Sequence, residues 1–232
     1  MRRGWTRRRL LVGALGVPAL LSGCASPLAE QALGTPAQDI AATGIAALEG
    51  RGVAVAFDAE HVLTCAHLLG GSGRLRLTRG DGRSEAEGVV LARSRRMDLA
   101  VLRVPRGFLA PVLRAADRPR EGETVWAAGV PQLGAGIARG HVEAPDAEMP
   151  GFGRGFTARM PALMGYSGGP VVDAEGRLLG LTSALPDPGA AGALALLTGA
   201  DLDGLTRRDR RIFALAIHRA EAEALHLLSL TG

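Results

Sequence analysis

The chain has 232 residues, of which 47% are hydrophobic and 22% are charged, and this length suffices for one large all-β unit or two small ones. Its 27 basic and 23 acidic residues give a net charge of +4, but five arginines lie within the first nine residues. Without residues 1–23 the chain carries 22 basic and 23 acidic residues, a net of −1, so charge does not indicate a nucleic-acid partner.

The N-terminus has the pattern of an export signal. A basic stretch precedes the apolar run Leu10–Leu21, whose twelve residues are too few to span a bilayer, so residues 1–23 are predicted to be a signal peptide. The segment Leu21–Cys24 resembles the bacterial lipobox, which implies that Cys24 is lipidated and begins the mature chain; ordinary cleavage at a small residue is the alternative. We therefore expect an exported protein of the cell envelope or periplasm, held by lipid to a membrane. Ala25 favours the outer membrane, by the same resemblance.

The region after the signal predicts a tether followed by an all-β unit. Residues 24–48 are rich in Ala, Gly, Pro and Gln and are predicted to be a tether, ending in a short helix near Ile40–Leu48. A domain is expected over residues 49–205, with its first barrel over about 49–114. The predicted strands of this barrel are Val53–Phe57, His61–Thr64, Arg74–Thr78, Ala86–Ala92 and Leu99–Val104.

A second barrel is expected over about residues 121–205. Its predicted strands are Thr124–Ala128, Gly134–Val142, Phe156–Arg159, Val171–Val172, Leu178–Thr182 and Ala193–Leu197. Residues 206–232 are predicted to form a C-terminal helix with Thr206 as its N-cap, because apolar residues recur there at helical spacing. The members of this stripe are Phe213, Ile217, Ala220, Ala224 and Leu228.

The stretch Gly165–Pro170 places a serine among three glycines. Glycine allows unusual backbone angles and close approach, and proline ends regular pairing. Such a loop can present the Ser167 hydroxyl beside bare backbone N–H groups, which is what acyl transfer requires. A serine in a plain glycine turn is the alternative interpretation.

Two further segments support a catalytic interpretation. Val62–His67 is an apolar strand that ends on a histidine, and Met97–Leu102 is an apolar strand opened by Asp98. Together with Ser167, these segments place His, Asp and Ser in that order along the chain, which is the order of one of the known catalytic triads. The three contexts resemble those of the trypsin-like serine peptidases, closest to the bacterial HtrA branch but without its usual peptide-binding PDZ module. The resemblance covers roughly residues 52–205.

This resemblance implies two packed six-stranded β-barrels and a serine endopeptidase that hydrolyses peptide bonds through an acyl-enzyme. It assigns Ser167 as nucleophile, His67 as general base and Asp98 as the residue that orients the histidine. It also assigns the oxyanion hole to the backbone N–H groups of Gly165 and Ser167. It implies that the substrate pocket, expected to accept small or medium apolar side chains rather than basic ones, is lined by Pro161, Thr182, Ser183 and Ala184.

Tyr166 departs from the family pattern. The animal enzymes carry an aspartate there, which pairs with a newly freed amino terminus and so orders the oxyanion loop. Tyrosine carries no charge at neutral pH. We therefore expect the loop to be ordered by its own packing or by substrate, and a domain starting near Gln38 to be active without processing.

The remaining reactive side chains predict no cofactor and no metal. His218 and His226 lack the spacing of ligands one helical turn apart, and Cys65 is expected to be a small buried hydrophobe. The expected partners are polypeptide substrates and, through the lipid, a membrane.

Two rival functions remain open at the level of sequence. The Gly165–Gly169 pattern also fits the nucleophile elbow of an α/β-hydrolase esterase, with Asp201 and His218 as later partners; that fold needs a helix after the serine. A non-catalytic binding protein that keeps the peptidase fold is the second.

Overall fold

A computed structural model describes residues 27–49, 51–131, 136–184 and 210–231, and this part of the chain forms two closed antiparallel β-barrels. Barrel one has the strand order β1-β2-β3-β6-β5-β4. Its strands are β1 (Ile45–Leu48), β2 (Gly52–Ala56), β3 (His61–Thr64), β4 (Arg74–Arg79), β5 (Glu85–Arg93) and β6 (Ala100–Arg103). The all-β class is confirmed.

Barrel two has the strand order β10-β11-β12-β9-β8-β7. Its strands are β7 (Thr124–Ala128), β8 (Ile137–Met149), β9 (Gly153–Met160), β10 (Pro170–Val172), β11 (Leu178–Ala184) and β12 (Arg210–Ala216). The helical segments are a short α1 (Leu28–Gln31), a π-helical turn (Ile40–Gly44), a 3₁₀ turn (Ala66–Leu69) and the C-terminal α2 (Ile217–Ser229).

Each barrel has its own interior, and a third apolar core lies between the barrels. Alternate residues of a strand point to opposite sides, so one strand can serve two cores. In β2, Ala54 and Ala56 fill the interior of barrel one, whereas Val53 and Val55 face the core between the barrels. All of β2 is consequently buried, which explains its unbroken apolar sequence.

The segment predicted as a tether packs against the body of the protein from Leu28 onward, and its predicted boundary at residue 48 is wrong. Residues 45–48 form β1, which pairs with β2 and β4 and closes barrel one. Residues 27–44, named here the strap, contribute apolar side chains to the core between the barrels. These are Leu28, Ala32, Ala37, Ile40 and Ala41. The strap is rich in Ala, Gly, Pro and Gln, and this composition is typical of a linker, so the sequence did not indicate that it packs against the barrels.

The predicted C-terminal helix over residues 206–232 is also corrected. Residues 210–216 form β12, which lies between β11 and β9, so barrel two extends beyond residue 205. Ile212 and Ala214 face the interior of barrel two, and Phe213 and Leu215 face the core between the barrels. A strand buried on both faces reads as a continuous apolar run, which periodicity cannot distinguish from a helix.

Several predictions fall outside the described residues: the signal peptide, the lipidation site Cys24, the strand Ala193–Leu197 and the cap Thr206. Within the described part of the chain, no helix has the length and apolar character needed to cross a bilayer.

Glu143 of β8 joins three strands of barrel two. It accepts hydrogen bonds from Arg159 Nε on β9 at 2.9 Å and from Arg211 Nη2 on β12 at 2.8 Å. The bond from Arg211 is the main cause that lowers the pKa of Glu143 from 4.5 to about 2; partial burial opposes the shift and Arg159 adds to it. Because the folded-state pKa lies below that of the unfolded chain, the carboxylate stabilises the fold above pH 4.5 and loses this effect as the pH falls to about 2.

Replacing Glu143 by glutamine should therefore flatten the acid dependence of stability. We expect Glu143→Gln to lower the thermal midpoint near neutral pH, with the difference from the wild type disappearing as the pH approaches 2. Thermal melts across this range measure it. Glu85→Gln is the control, since Glu85 is exposed and makes no ion pair within the described residues. Parallel pH profiles for the wild type and Glu143→Gln would contradict the assignment.

Candidate active site

His67 and Asp98 are brought together by the pairing of β3 with β6. Thr64, the last residue of β3, lies opposite Ala100, the first of β6. His67 follows β3 and Asp98 precedes β6, so the antiparallel register places both at the same end of the pair. His67 Nδ1 lies 2.7 Å from Asp98 Oδ2, and the His67 backbone N–H donates to Asp98 Oδ1 at 2.9 Å.

The Asp98 carboxylate is buried but well supplied with donors. Burial alone would raise its pKa, but hydrogen bonds from the ring and backbone of His67 and from Ser183 Oγ, at 3.0 Å, outweigh that effect and hold the pKa below its usual 3.8. Asp98 is therefore ionised at neutral pH, where it orients the half-exposed His67 ring through Nδ1 and leaves Nε2 for a reacting group.

Ser167 lies in the loop before β10, and this loop is fixed to barrel one. The Val53 backbone N–H of β2 donates to the Ser167 carbonyl at 2.9 Å. Gly168 has φ +76°, and a Cβ there would lie only 2.0 Å from the Val53 carbonyl oxygen and 2.6 Å from Thr64 Oγ1. Only glycine permits that approach. The nucleophile loop thus rests on β2 and on the end of β3, three residues before His67.

Two backbone donors beside Ser167 are available to a ligand. Among the described residues, the N–H groups of Gly165 and Ser167 donate to no other protein group. Gly165 has φ +103°, and its carbonyl is taken by the Val130 N–H at 3.0 Å. These are the donors assigned to the oxyanion hole.

Tyr166 is only 1% exposed and belongs to the core of barrel two. Burial raises the pKa of its phenol above the usual value, so the residue before the nucleophile is neutral across the physiological range. The chain therefore lacks an acidic group at the position where the animal enzymes have one.

The residues expected to line the substrate pocket occupy different environments. Pro161 is exposed, whereas Thr182 and Ser183 are buried. The Ser183 hydroxyl faces Asp98, so any pocket contact from this residue comes from its backbone. The Thr182 carbonyl accepts the Gly168 N–H at 2.7 Å, and its N–H donates to the Gly169 carbonyl at 2.8 Å. The sequence interpretation missed the contact of Ser183 with Asp98 and that of Thr182 with the serine loop, because both depend on β11 lying beside that loop. Ala184 is the last residue of β11.

Cys65 completes the buried surroundings of the pair. Its Sγ lies 3.3 Å from the Thr182 carbonyl oxygen, and Cys65, His67 and Asp98 offer donor atoms within 4.8 Å of one another. Burial first, and then the Asp98 charge, raise the pKa of the thiol well above its ordinary value. A metal would need a thiolate, and His67 Nδ1 is already committed to Asp98, so this donor set does not suit a metal.

This combination of two six-stranded barrels, a His–Asp pair and a serine loop at their junction defines a trypsin-like serine peptidase. The sequence profile of the trypsin-like peptidase domain matches residues 50–181, and the chain belongs to that family. Its enzymatic class is that of a serine endopeptidase. A comparison with curated protein sequences found no match.

Solved structures support the same fold. A mutant of the protease Rv3671c from M. tuberculosis H37Rv, in an inactive form, is 19% identical with TM-score 0.62, over 96% of this chain and 99% of that one. The serine endoprotease from Yersinia pestis is 20% identical with TM-score 0.63, over 84% and 66%. The HtrA-type protease AlgW, solved with a decapeptide, is 24% identical with TM-score 0.61, over 77% and 52%. At such identities the likeness concerns the fold.

The fold excludes the α/β-hydrolase alternative. After Ser167 the chain enters β10 and the β10–β11 hairpin, where an esterase elbow would begin a helix. Every pairing between two named strands is antiparallel, and Asp201 lies outside the described residues. His218 lies in the first turn of α2, where it lines a small cavity with Arg118 and Pro119, and no residue of the serine loop lines that cavity.

The loop that carries Asp98 is held from the other side by α2. Ser94 Oγ donates to Glu223 Oε1 at 2.6 Å and accepts the backbone N–H groups of Arg96 at 3.0 Å and Met97 at 3.2 Å. Glu223 is 6% exposed. A serine that accepts N–H groups two and three residues ahead is a recurrent local turn, but its contact with α2 could not be read from the sequence.

Removing the Glu223 carboxylate should loosen the Asp98 loop. We expect Glu223→Ala to lower kcat/KM about tenfold, because small displacements of catalytic groups are costly, whereas Glu223→Gln, which keeps an acceptor for Ser94, should stay within about twofold. Glu221→Ala is the matched control, because Glu221 lies on the same helix but pairs with Arg114 away from the loop. Equal activity of Glu223→Ala and Glu221→Ala would refute this role.

Proposed function

We propose that this protein is a serine endopeptidase of the cell envelope in which Ser167, His67 and Asp98 hydrolyse peptide bonds through an acyl-enzyme. The observation that carries the proposal is the buried Asp98 carboxylate, which holds His67 Nδ1 at 2.7 Å beside the strand ends on which the Ser167 loop rests. The order of the three residues along the chain agrees with it.

The chemistry follows from these positions. Ser167 Oγ attacks the carbonyl carbon of the scissile bond while His67 Nε2 takes its proton, and the oxyanion is stabilised by the Gly165 and Ser167 N–H groups. His67 then gives the proton to the leaving amine as the C–N bond breaks. Water, activated by His67, attacks the acyl-enzyme and releases the carboxylic product. Asp98 remains ionised throughout and stabilises the imidazolium.

We infer polypeptide substrates, in keeping with the enzyme class. AlgW, a protein of the same fold, was solved with a decapeptide. The proposed primary pocket lies near Pro161 and the end of β11 at Ala184, and neither residue offers a carboxylate for a basic side chain. Small or medium apolar side chains are the expected preference.

We also propose that the protein is exported and held to a membrane by lipid on Cys24, with the outer membrane preferred. The support is the basic and apolar leader followed by the Leu21–Cys24 motif. Leu28, four residues beyond Cys24, is already buried between the barrels. This spacing leaves little chain between the lipid and the peptidase, which would keep the enzyme close to the membrane surface.

The nucleophile is tested by Ser167→Ala. We expect turnover of a peptide substrate to fall by roughly 10⁴ to 10⁶ and labelling by a fluorophosphonate probe to disappear. Ser72→Ala, in the turn after the His67 segment, serves as a control for general effects of losing a serine. Wild-type peptidase activity in Ser167→Ala would refute the mechanism. A wild-type protein that neither cleaves peptides nor takes the probe would favour a binding function.

Lipidation is tested by Cys24→Ser. In a bacterial host supplied with labelled fatty acid, we expect the wild type to incorporate the label and Cys24→Ser to incorporate none. The buried Cys65 provides the control, since Cys65→Ser should still be labelled. A wild-type protein that takes up no label would rule out the anchor and leave the peptidase assignment intact.

A further inference from the structure

We propose that the strap, through Leu28 and Gln31 of α1, holds the oxyanion loop in place, so that these two are positioning residues for catalysis. The inference rests on the proposed peptidase function and adds an element to it. In the animal enzymes an inserted amino terminus orders the oxyanion loop through an ion pair. In this protein the strap would order the loop without cleavage and without an ion pair.

The strap is fastened to both barrels. On barrel one, the Ala29 N–H donates to the Gly80 carbonyl at 3.0 Å, and the Ala41 carbonyl lies so close to Gly80 that a Cβ there would be 1.9 Å from it. On barrel two, a Cβ on Gly176 would lie 2.4 Å from the Pro36 carbonyl oxygen. These backbone contacts fix the course of the strap and therefore the position of α1.

At α1 the strap contacts a buried glycine that precedes β8. Gln31 Oε1 accepts the backbone N–H of Gly136 at 2.7 Å. A Cβ on Gly136 would lie 2.7 Å from that oxygen and 2.8 Å from Leu28 Cδ1. The Gly136 carbonyl in turn accepts the Gly129 N–H at 2.8 Å. The strap and the end of β7 thus hold opposite sides of the same residue.

Gly129 and Val130 carry this contact to the nucleophile loop. A Cβ on Gly129 would lie 2.5 Å from Tyr166 Cγ and 2.8 Å from Tyr166 Cα, so the ring packs directly on the glycine backbone. The Val130 N–H holds the Gly165 carbonyl at 3.0 Å. Gly165 and Tyr166, the two residues before Ser167, are therefore supported by residues 129–130. Gly136 supports residue 129 in turn, and α1 supports Gly136.

The contacts also explain how the loop can be ordered with tyrosine before the nucleophile. Neutral Tyr166 is held by packing, and Gln31 contributes an uncharged hydrogen bond, so no free amino terminus is required. The proposal makes a prediction that differs from the expectation for a domain starting near Gln38. Such a domain lacks Leu28 and Gln31 and leaves the Gly136 N–H without its acceptor, so the proposal predicts reduced activity for it.

Point variants in the full chain test the proposal. We expect Gln31→Ala to lower kcat about fivefold with KM within twofold, and the double variant Leu28→Ala/Gln31→Ala to lower it about twentyfold, because the oxyanion donors lose their fixed geometry. Gln31→Glu keeps an acceptor oxygen and should restore kcat to within twofold. The matched control is Gln38→Ala, because in the part of the chain that the structure describes Gln38 Oε1 accepts from the Gly34 N–H, inside the strap, and from no other group.

Two further measurements keep the test decisive. Hydrogen exchange should speed up in a peptide covering residues 162–169 of Gln31→Ala and remain unchanged in β2 and β3, whether or not the protein proves to be a peptidase. Gly136→Ala places a methyl group against Gln31 and Leu28 and so separates α1 from residue 136. This variant should lower kcat as well, and combining it with Gln31→Ala should lower kcat little further. Gln31→Ala that matches Gln38→Ala in both kcat and hydrogen exchange would overturn the proposal. An inactive wild type with loop exchange that still depends on Gln31 would overturn only the peptidase function.

Discussion

The structure depends on the apolar core between the two barrels. Valine and leucine side chains on the outer faces of both barrels meet there, joined by the strap and by Ile217, Ala220, Ala224 and Leu227 of α2. Burying this surface holds the barrels in one relative position. That constraint matters because His67 and Asp98 belong to barrel one, whereas Ser167 and its oxyanion donors belong to barrel two. Neither barrel contains a complete site.

Polar contacts at the junction convert this general association into a defined geometry. The Thr182 carbonyl accepts both the Gly168 N–H and, more weakly, the Cys65 thiol, so it ties the nucleophile loop to the segment that carries His67. Ser183 on the same strand donates to Asp98. Because these groups are buried, losing a partner would leave a polar atom unsatisfied, and the network resists displacement. One short stretch of β11 therefore contacts the surroundings of all three proposed catalytic residues.

Both ends of the described chain return to the active site. The strap reaches the support of the oxyanion loop through Gly136, and α2 reaches the Asp98 loop through Glu223 and Ser94. In each case a local turn is completed by an acceptor from a distant segment. These two contacts join the strap to the oxyanion loop and α2 to the Asp98 loop. Substitutions outside the barrels are therefore expected to affect catalysis.

The all-β class, the family and the three catalytic candidates could be predicted from the sequence, because strand alternation, glycine turns and the residues flanking His67, Asp98 and Ser167 are local patterns. It did not determine β1 or β12, whose residues are buried on both faces and so lose the period that marks a strand. The strap, the pairing of Ser183 with Asp98 and the support from Glu223 depend on contacts between segments far apart in the chain. Such contacts cannot be predicted from local sequence, because a side chain such as Gln31 meets Gly136 only after the chain has folded.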